Sequence, residues 1–225
     1  MTSSPRIKIC GLRDAETIAA MDGLPVHEIG FVFAPSKRQV DKPTAAGLIE
    51  AAHRLKAAGG IRPRTVGVFV NESFDGLKAV LAEAPLDVVQ LHGDESPALC
   101  REARERLRVD VWKVFSIKNA DDSPTGADAK RRLAPYEGAV DAVLIDAPGG
   151  GTGHTFNWAA IEAYKEAAGE FGIPLYVAGG LHEGNVKELL RSHSPGGIDV
   201  SSGVETDGRK DIDKIRLFVR RVMEA

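Results

Sequence analysis

Short apolar runs recur along the whole chain, and each is bounded by residues typical of turns. Eight runs predict β-strands, over residues 6–10, 28–33, 65–70, 88–92, 111–116, 142–146, 174–178 and 197–201. Most are nearly continuous in apolar residues, which is typical of strands covered on both faces rather than of a half-exposed sheet. Their starts lie roughly 27 residues apart on average, which indicates repeated strand–helix units and not hairpins.

The segments between these strands carry helix signals. Asp14 is a candidate N-cap, Ser96-Pro97 places proline at a first helical position, and apolar residues elsewhere repeat at helical spacing. Helices are predicted over residues 14–21, 44–58, 73–83, 96–107, 128–133, 157–168, 183–191 and 209–223. The polar stretch 116–130 predicts an enlarged loop between the fifth strand and its helix.

Eight strands alternating with eight helices, without a linker or a shift in composition, predict an α/β protein that is a single (β/α)8 TIM barrel over residues 1–225. The alternative is a doubly wound open sheet. The first strand is followed by Cys10-Gly11-Leu12-Arg13 and not by the G-x-G-x-x-G turn that such dinucleotide-binding sheets carry, which favours the barrel.

The composition and charge of the chain argue against several classes of function. The net charge of −3 leaves no basic footprint for nucleic acid or an anionic membrane, and no apolar stretch is long enough to cross a bilayer. The first residues lack the features of a secretory signal, so we expect a cytoplasmic protein. The six histidines form no H-x-H or H-x-x-x-H pair, so we expect no metal site, and two cysteines do not indicate a disulfide framework.

Two strand ends carry ionisable side chains suited to acid–base chemistry. Cys10 ends the first strand and Asp146 ends the sixth, and the carboxyl ends of all barrel strands meet at one mouth. Cys10 could instead be a small buried residue, as we expect for Cys100, and Asp146 an ordinary loop carboxylate. A glycine-rich loop at 149–153 follows Asp146 and could close over a ligand.

Glycines after the seventh and eighth strands predict a phosphate site. Gly179-Gly180 and Ser202-Gly203 occupy the two loops that most often bind phosphate in α/β barrels, although any one glycine there could simply make a turn. Arg38, in the loop after the second strand, could hold a carboxylate or lie on the surface. His92 ends the fourth strand and could donate a hydrogen bond to substrate or be structural.

Distinctive motifs occur at nearly every strand end. They are KICGL (8–12), GFVFAPSKR (30–38), VGVFVN (66–71), VQLHGDE (89–95), LIDA with the GGTGHTFNW that follows it (144–158), AGGL (178–181) with Asn185, and DVSSGVE (199–205). Together they resemble the phosphoribosylanthranilate isomerase family of tryptophan biosynthesis. Lys37 stands where proline is common in that family, and the segment 117–128 is not distinctive.

The resemblance implies a (β/α)8 barrel that carries out a cofactor-free Amadori rearrangement of a small phosphoribosyl substrate. It implies Cys10 as general base, Asp146 as general acid and Arg38 as the partner of the anthranilate carboxylate. We expect the substrate-binding set to be Arg38, His92, Gly179, Gly180, Asp199, Ser202 and Gly203. We expect a monomer, with a homodimer as the alternative.

The proposed chemistry makes demands on both ionisable groups. Asp146 has to keep its proton near neutral pH, so its pKa should be raised, and Cys10 has to lose its proton, so its pKa should be lowered. The nearest alternative family, the histidine-pathway aminoaldose isomerases, has an aspartate at the position of Cys10. A non-catalytic sensor of phosphate ligands is the alternative of another class, and it would not need both residues.

Overall fold

The main sheet is a closed barrel of eight parallel strands. The computed structural model describes residues 4–57, 60–117, 124–147 and 157–225. Each strand pairs with its neighbours in sequence, and β1 closes the barrel against β8. The strands are β1 (Arg6–Cys10), β2 (Glu28–Val32), β3 (Arg64–Phe69), β4 (Val88–Leu91), β5 (Asp110–Ser116), β6 (Ala142–Asp146), β7 (Leu175–Val177) and β8 (Gly197–Val200). The predicted barrel is confirmed.

Alternate residues of each strand face the helices and the barrel interior. In β1, Ile7 and Ile9 are fully buried in the core shared with the helices, while Lys8 and Cys10 occupy the alternate positions. A second, smaller cluster of buried residues comes from alternate strand positions and includes Trp112 and Tyr176, whose rings lie 4.4 Å apart. The barrel is therefore packed below its mouth and leaves room for a ligand only at one end.

In the described part of the chain, eight α-helices surround the sheet, and polar N-caps start most of them. Asp14, Asp41, Ser73, Ser96, Thr125 and Asp211 each accept a backbone N–H of the first helical turn. The helices are α1 (Ala15–Ala20), α2 (Lys42–His53), α3 (Phe74–Glu83), α4 (Pro97–Leu107), α5 (Gly126–Leu133), α6 (Ala159–Glu170), α7 (Val186–His193) and α8 (Ile212–Met223).

The predicted helices differ from the observed ones at their ends, and for two of them the structure shows the cause. The second helix starts earlier and stops at His53 instead of residue 58, before a turn that includes a glycine with positive φ at Gly60. The last helix starts at Ile212 and not at 209, because β9 (Glu205–Thr206) and β10 (Arg209–Lys210) form a small antiparallel hairpin before it. Residues 118–123 of the predicted enlarged loop and the glycine-rich loop at 149–153 lie outside the described residues.

Within the described ranges, no helix has the length and apolar character needed to cross a membrane.

Candidate active site

A pocket of about 340 Å³ opens at the carboxyl ends of the strands. Most of the residues predicted from the sequence line it: Cys10, Arg38, His92, Asp146, Gly179, Gly180, Asp199 and Ser202. Gly203 is not among the lining residues, although it follows Ser202 directly. The barrel thus brings together side chains from both halves of the sequence.

Cys10 ends β1 with its thiol at the pocket wall. The residue is 8 % exposed, and its register partner on β2 is Gly30, where a Cβ would lie only 2.8 Å from the Cys10 sulfur. The Ser201 hydroxyl donates to the Cys10 carbonyl at 3.1 Å. The absence of a side chain at Gly30 therefore leaves space for the thiol, and the hydrogen bond from Ser201 fixes the backbone of Cys10.

Burial raises the pKa of the Cys10 thiol above its ordinary value. The positive charges of Lys8 and Lys210 act in the opposite direction but do not outweigh burial, and the negative charge of Asp199 adds to it. The expectation of a lowered pKa at Cys10 was therefore wrong for the ligand-free protein, because the sequence does not reveal how deeply the thiol is buried.

Asp146 ends β6 on another part of the same wall. Burial and the neighbouring charge of Asp199 raise the pKa of the Asp146 carboxyl to about 7. Its Oδ1 atom is buried and has no hydrogen-bond partner among the described residues. This direction agrees with the expectation for a carboxyl that keeps its proton near neutral pH.

Gly179 allows the loop after β7 to approach Asp146. Its φ is +87°, and a Cβ there would lie 2.7 Å from the Ala147 nitrogen and 3.0 Å from Asp146 Oδ1. A side chain at 179 would therefore both strain the backbone and push on the carboxyl.

His92 lies close to this carboxyl, with its Nε2 atom 3.6 Å from Asp146 Oδ2. Burial and the positive charge of Lys8 lower the pKa of His92 to about 4. The imidazole is therefore neutral at physiological pH, so it can donate one hydrogen bond and accept another.

Arg38 is buried, contrary to the surface alternative, and is held by an acidic residue that sequence reasoning missed. Its Nε and Nη2 atoms donate to the two carboxylate oxygens of Glu205 at 2.6 and 2.9 Å. Lys210 also donates to Glu205, at 2.7 Å. Burial opposes ionisation of Glu205, but hydrogen bonds from Arg38 and Lys210 outweigh it and lower the pKa of Glu205 to about 2.

The loops after β7 and β8 pack tightly against each other. A Cβ at Gly203 would lie 1.9 Å from the Leu181 carbonyl oxygen, so only glycine fits there. The Asn185 side chain fixes the other loop by donating to the Gly180 carbonyl at 2.9 Å. The backbone N–H groups of Gly180, Ser202 and Gly203 donate to no acceptor within the described part of the chain, so they can bind an anion.

Four charged or amide side chains at the site were missed by sequence reasoning. Gln90 lines the pocket with a buried, unpartnered Oε1 atom, and Lys8, Glu205 and Lys210 surround the pocket as buried charges. Lys8 could have been predicted as part of the site, because a lysine two positions before Cys10 in an apolar strand points to the same face of the sheet as Cys10. Glu205 and Lys210 meet only through the hairpin, which has no clear sequence signal.

A parallel barrel with titratable groups gathered at the carboxyl ends of its strands places the chain in the (β/α)8 class of enzymes. The family model for N-(5'-phosphoribosyl)anthranilate (PRA) isomerase matches residues 7–221. The chain belongs to this family, an isomerase family of tryptophan biosynthesis.

Individual members of the family are similar to this chain over nearly its whole length. The chain is 46 % identical to the N-(5'-phosphoribosyl)anthranilate isomerase of Brevibacillus brevis, over 96 % of this chain and 93 % of the relative. It is similar to a dimeric phosphoribosylanthranilate isomerase from Thermotoga maritima solved as monomers, with 31 % identity, a TM-score of 0.77, and coverage of 98 % and 100 % of the two chains.

A further solved structure contains a ligand. It is a phosphoribosyl anthranilate isomerase in complex with reduced 1-(o-carboxyphenylamino)-1-deoxyribulose 5-phosphate. This chain is 30 % identical to it, with a TM-score of 0.76 and coverage of 98 % and 100 % of the two chains.

Proposed function

We propose that this chain converts N-(5'-phosphoribosyl)anthranilate into 1-(2-carboxyphenylamino)-1-deoxyribulose 5-phosphate, with Asp146 as general acid and Cys10 as general base. The observation that carries this proposal is one pocket that holds both a carboxyl with a pKa of about 7 and a thiol. Two such groups at the ends of β6 and β1 can act on neighbouring atoms of one bound sugar.

Asp146 starts the reaction by giving its proton to the furanose ring oxygen. The bond between that oxygen and C1′ breaks, and the anthranilate nitrogen forms an iminium with C1′. A carboxyl with an ordinary pKa of 3.8 would have lost its proton at neutral pH, whereas Asp146 keeps a substantial fraction of it. The raised pKa therefore suits the first step.

Cys10 then removes the proton from C2′, which the iminium makes acidic. The product is an enolamine, which becomes the ketone when a proton is added at C1′. The thiol holds its proton in the free protein, so the base has to be generated with substrate bound. The cationic iminium lowers the pKa of the neighbouring thiol, in the same direction as Lys8 and Lys210.

The remaining residues orient the substrate between two anion sites. The N–H groups of Gly180, Ser202 and Gly203, which have no acceptor among the described residues, suit the phosphate, and Arg38 suits the anthranilate carboxylate. Gly203 contributes its backbone and not a wall of the pocket. Asp199 Oδ1, buried and unpartnered among the described residues, and the neutral His92 suit the sugar hydroxyls.

The proposal is tested by following the loss of phosphoribosylanthranilate fluorescence with the purified protein. We expect turnover by the wild type and a decrease in kcat of about 10²–10⁴-fold in Cys10→Ser and in Asp146→Asn. Cys100→Ser is the matched control, because Cys100 is also a free, buried thiol but does not line the pocket. Near-normal turnover in Cys10→Ser would reject Cys10 as the base.

A further inference from the structure

Lys8 is a fully buried lysine in the barrel interior. It lies two residues before Cys10 on β1, so both side chains point to the same side of the strand. Its register partner on β8 is Asp199, and its Nζ donates to Asp199 Oδ2 at 2.7 Å. Lys8 does not line the pocket, so it has no direct access to a ligand there.

Stability alone does not explain why this ion pair is buried in the barrel. Burying two charges carries a desolvation penalty that their attraction often fails to offset, and an apolar pair of similar volume would fill the space as well. Asp199 is also incompletely satisfied, because its buried Oδ1 has no partner among the described residues. A charge kept in such a place calls for a functional explanation.

The Cys10 thiol supplies that explanation. The Lys8 ammonium is on the same face of β1 as the thiol, and its positive charge favours the thiolate. Two other cations act on Cys10: Lys210, which is bonded to Glu205, and Arg38. Asp199 opposes them. Lys8 is the cation on the same strand as the thiol, and its salt bridge with Asp199 holds it in place.

We infer that Lys8 is a positioning residue whose fixed ammonium stabilises the Cys10 thiolate as it forms, with Asp199 holding that ammonium in place. The inference rests on the proposed role of Cys10 as base. Asp199 itself lines the pocket, and its Oδ1 atom has no hydrogen-bond partner among the described residues. Lys8 also favours the neutral form of His92.

The test measures the rate of Cys10 alkylation by iodoacetamide against pH, in a Cys100→Ser background so that Cys10 is the one thiol present. The midpoint of that profile reports ionisation of Cys10 in the free protein. We expect Lys8→Met to raise the midpoint by about one pH unit or more and Lys8→Arg to preserve most of the wild-type value. An unchanged midpoint in folded Lys8→Met would overturn the inference.

Lys8→Met leaves Asp199 as an unpaired buried charge, so it can fail to fold. A second comparison uses Asp199→Asn, in which the Lys8 ammonium keeps an amide oxygen as acceptor, and Lys8→Met/Asp199→Asn, in which neither charge of the pair remains. The double variant should still have the higher midpoint of the two, and equal midpoints would overturn the inference.

Turnover separates a positioning role from a merely structural one. Lys8→Met should lower kcat at neutral pH by about tenfold or more with little change in KM, and Lys8→Arg should restore most of it. Failure of the proposed function would look different: Cys10→Ser would remain active, whatever the alkylation midpoints. An inactive Cys10→Ser combined with unchanged midpoints would reject the role of Lys8 alone.

Discussion

Replacing Asp146 by asparagine should stabilise the folded protein at neutral pH while it lowers kcat by about 10²–10⁴-fold. Burial and Asp199 raise the pKa of Asp146 to about 7 in the folded chain, whereas an unfolded chain gives it the ordinary value of 3.8. Between these two values the folded state holds a proton that the unfolded state has lost. Asp146 therefore makes the protein less stable as pH rises from about 4 to about 7.

The size of the effect follows from the difference between the two pKa values. At ~1.4 kcal/mol per pKa unit, ionisable Asp146 lowers the free energy of unfolding by about 4 kcal/mol at pH 7 and above, an upper estimate. Asparagine resembles the protonated acid and does not titrate. The advantage of Asp146→Asn over the wild type should thus grow by about 2–3 kcal/mol between pH 5 and pH 8.

The assay is urea denaturation of both proteins at several pH values from 5 to 8. Taking the difference between them removes the contribution of titrating groups that do not interact with residue 146, and a changed hydrogen bond at that residue would shift the difference equally at all pH values. The growth of the difference with pH is therefore the diagnostic quantity. A difference that stays flat, or that shrinks as pH rises, would refute the raised pKa.

Asp87→Asn is the matched control, for which we expect a change in stability of the opposite sign. Burial opposes ionisation of Asp87, but hydrogen bonds from Arg62 and Thr65 outweigh it and lower the pKa of Asp87 to about 2. Its ionised form stabilises the fold above the ordinary pKa, and that stability is lost as pH falls toward 2. Asp87→Asn should therefore destabilise the protein at neutral pH.

Substitutions at two further positions, Arg38 and Gly203, address the anion sites, and Gly47 provides a control. Arg38→Ala should raise KM more than Arg38→Lys, which keeps the charge but loses the two-pronged contact with Glu205 that holds residue 38 at the pocket, and equal values in steady-state kinetics would leave only a charge role. Gly203→Ala should weaken binding of inorganic phosphate in calorimetry and lower stability, because its Cβ would meet the Leu181 carbonyl. Gly47 lies in the middle of α2, where an added Cβ would meet no described atom within 4 Å, so Gly47→Ala should instead raise the free energy of unfolding by about 0.5–1 kcal/mol. A decrease in the free energy of unfolding of this variant would contradict the reasoning.

The barrel could be predicted from the sequence because its strands and helix caps are specified by residues that are close together in the chain. Buried strands at regular spacing, and caps such as Asp14 and Ser96, are set by neighbouring residues, and the structure confirms both. The late start of α8 was missed because the hairpin before it depends on pairing between Arg209–Lys210 and Glu205–Thr206, which no local pattern specifies.

The strand-end residues of the site and the raised pKa of Asp146 were predictable from the sequence, whereas the raised pKa of Cys10 and the ion pairs around the pocket were not. Strand ends place Cys10, His92 and Asp146 in one pocket, as the barrel topology requires. The pKa of Cys10 depends on how burial compares with the charges of Lys8 and Lys210, and the pairing of Arg38 with Glu205 joins residues far apart in sequence. Such quantities follow from packing in three dimensions.

The most direct test is a crystal structure of this protein with the reduced product that has been bound to a relative. We predict the phosphate on the backbone of Gly180, Ser202 and Gly203, the carboxylate on Arg38, and C2′ about 3–3.5 Å from the Cys10 sulfur. A reversed ligand, with its phosphate on Arg38, or a C2′ atom out of reach of Cys10 would contradict the assignment of acid and base.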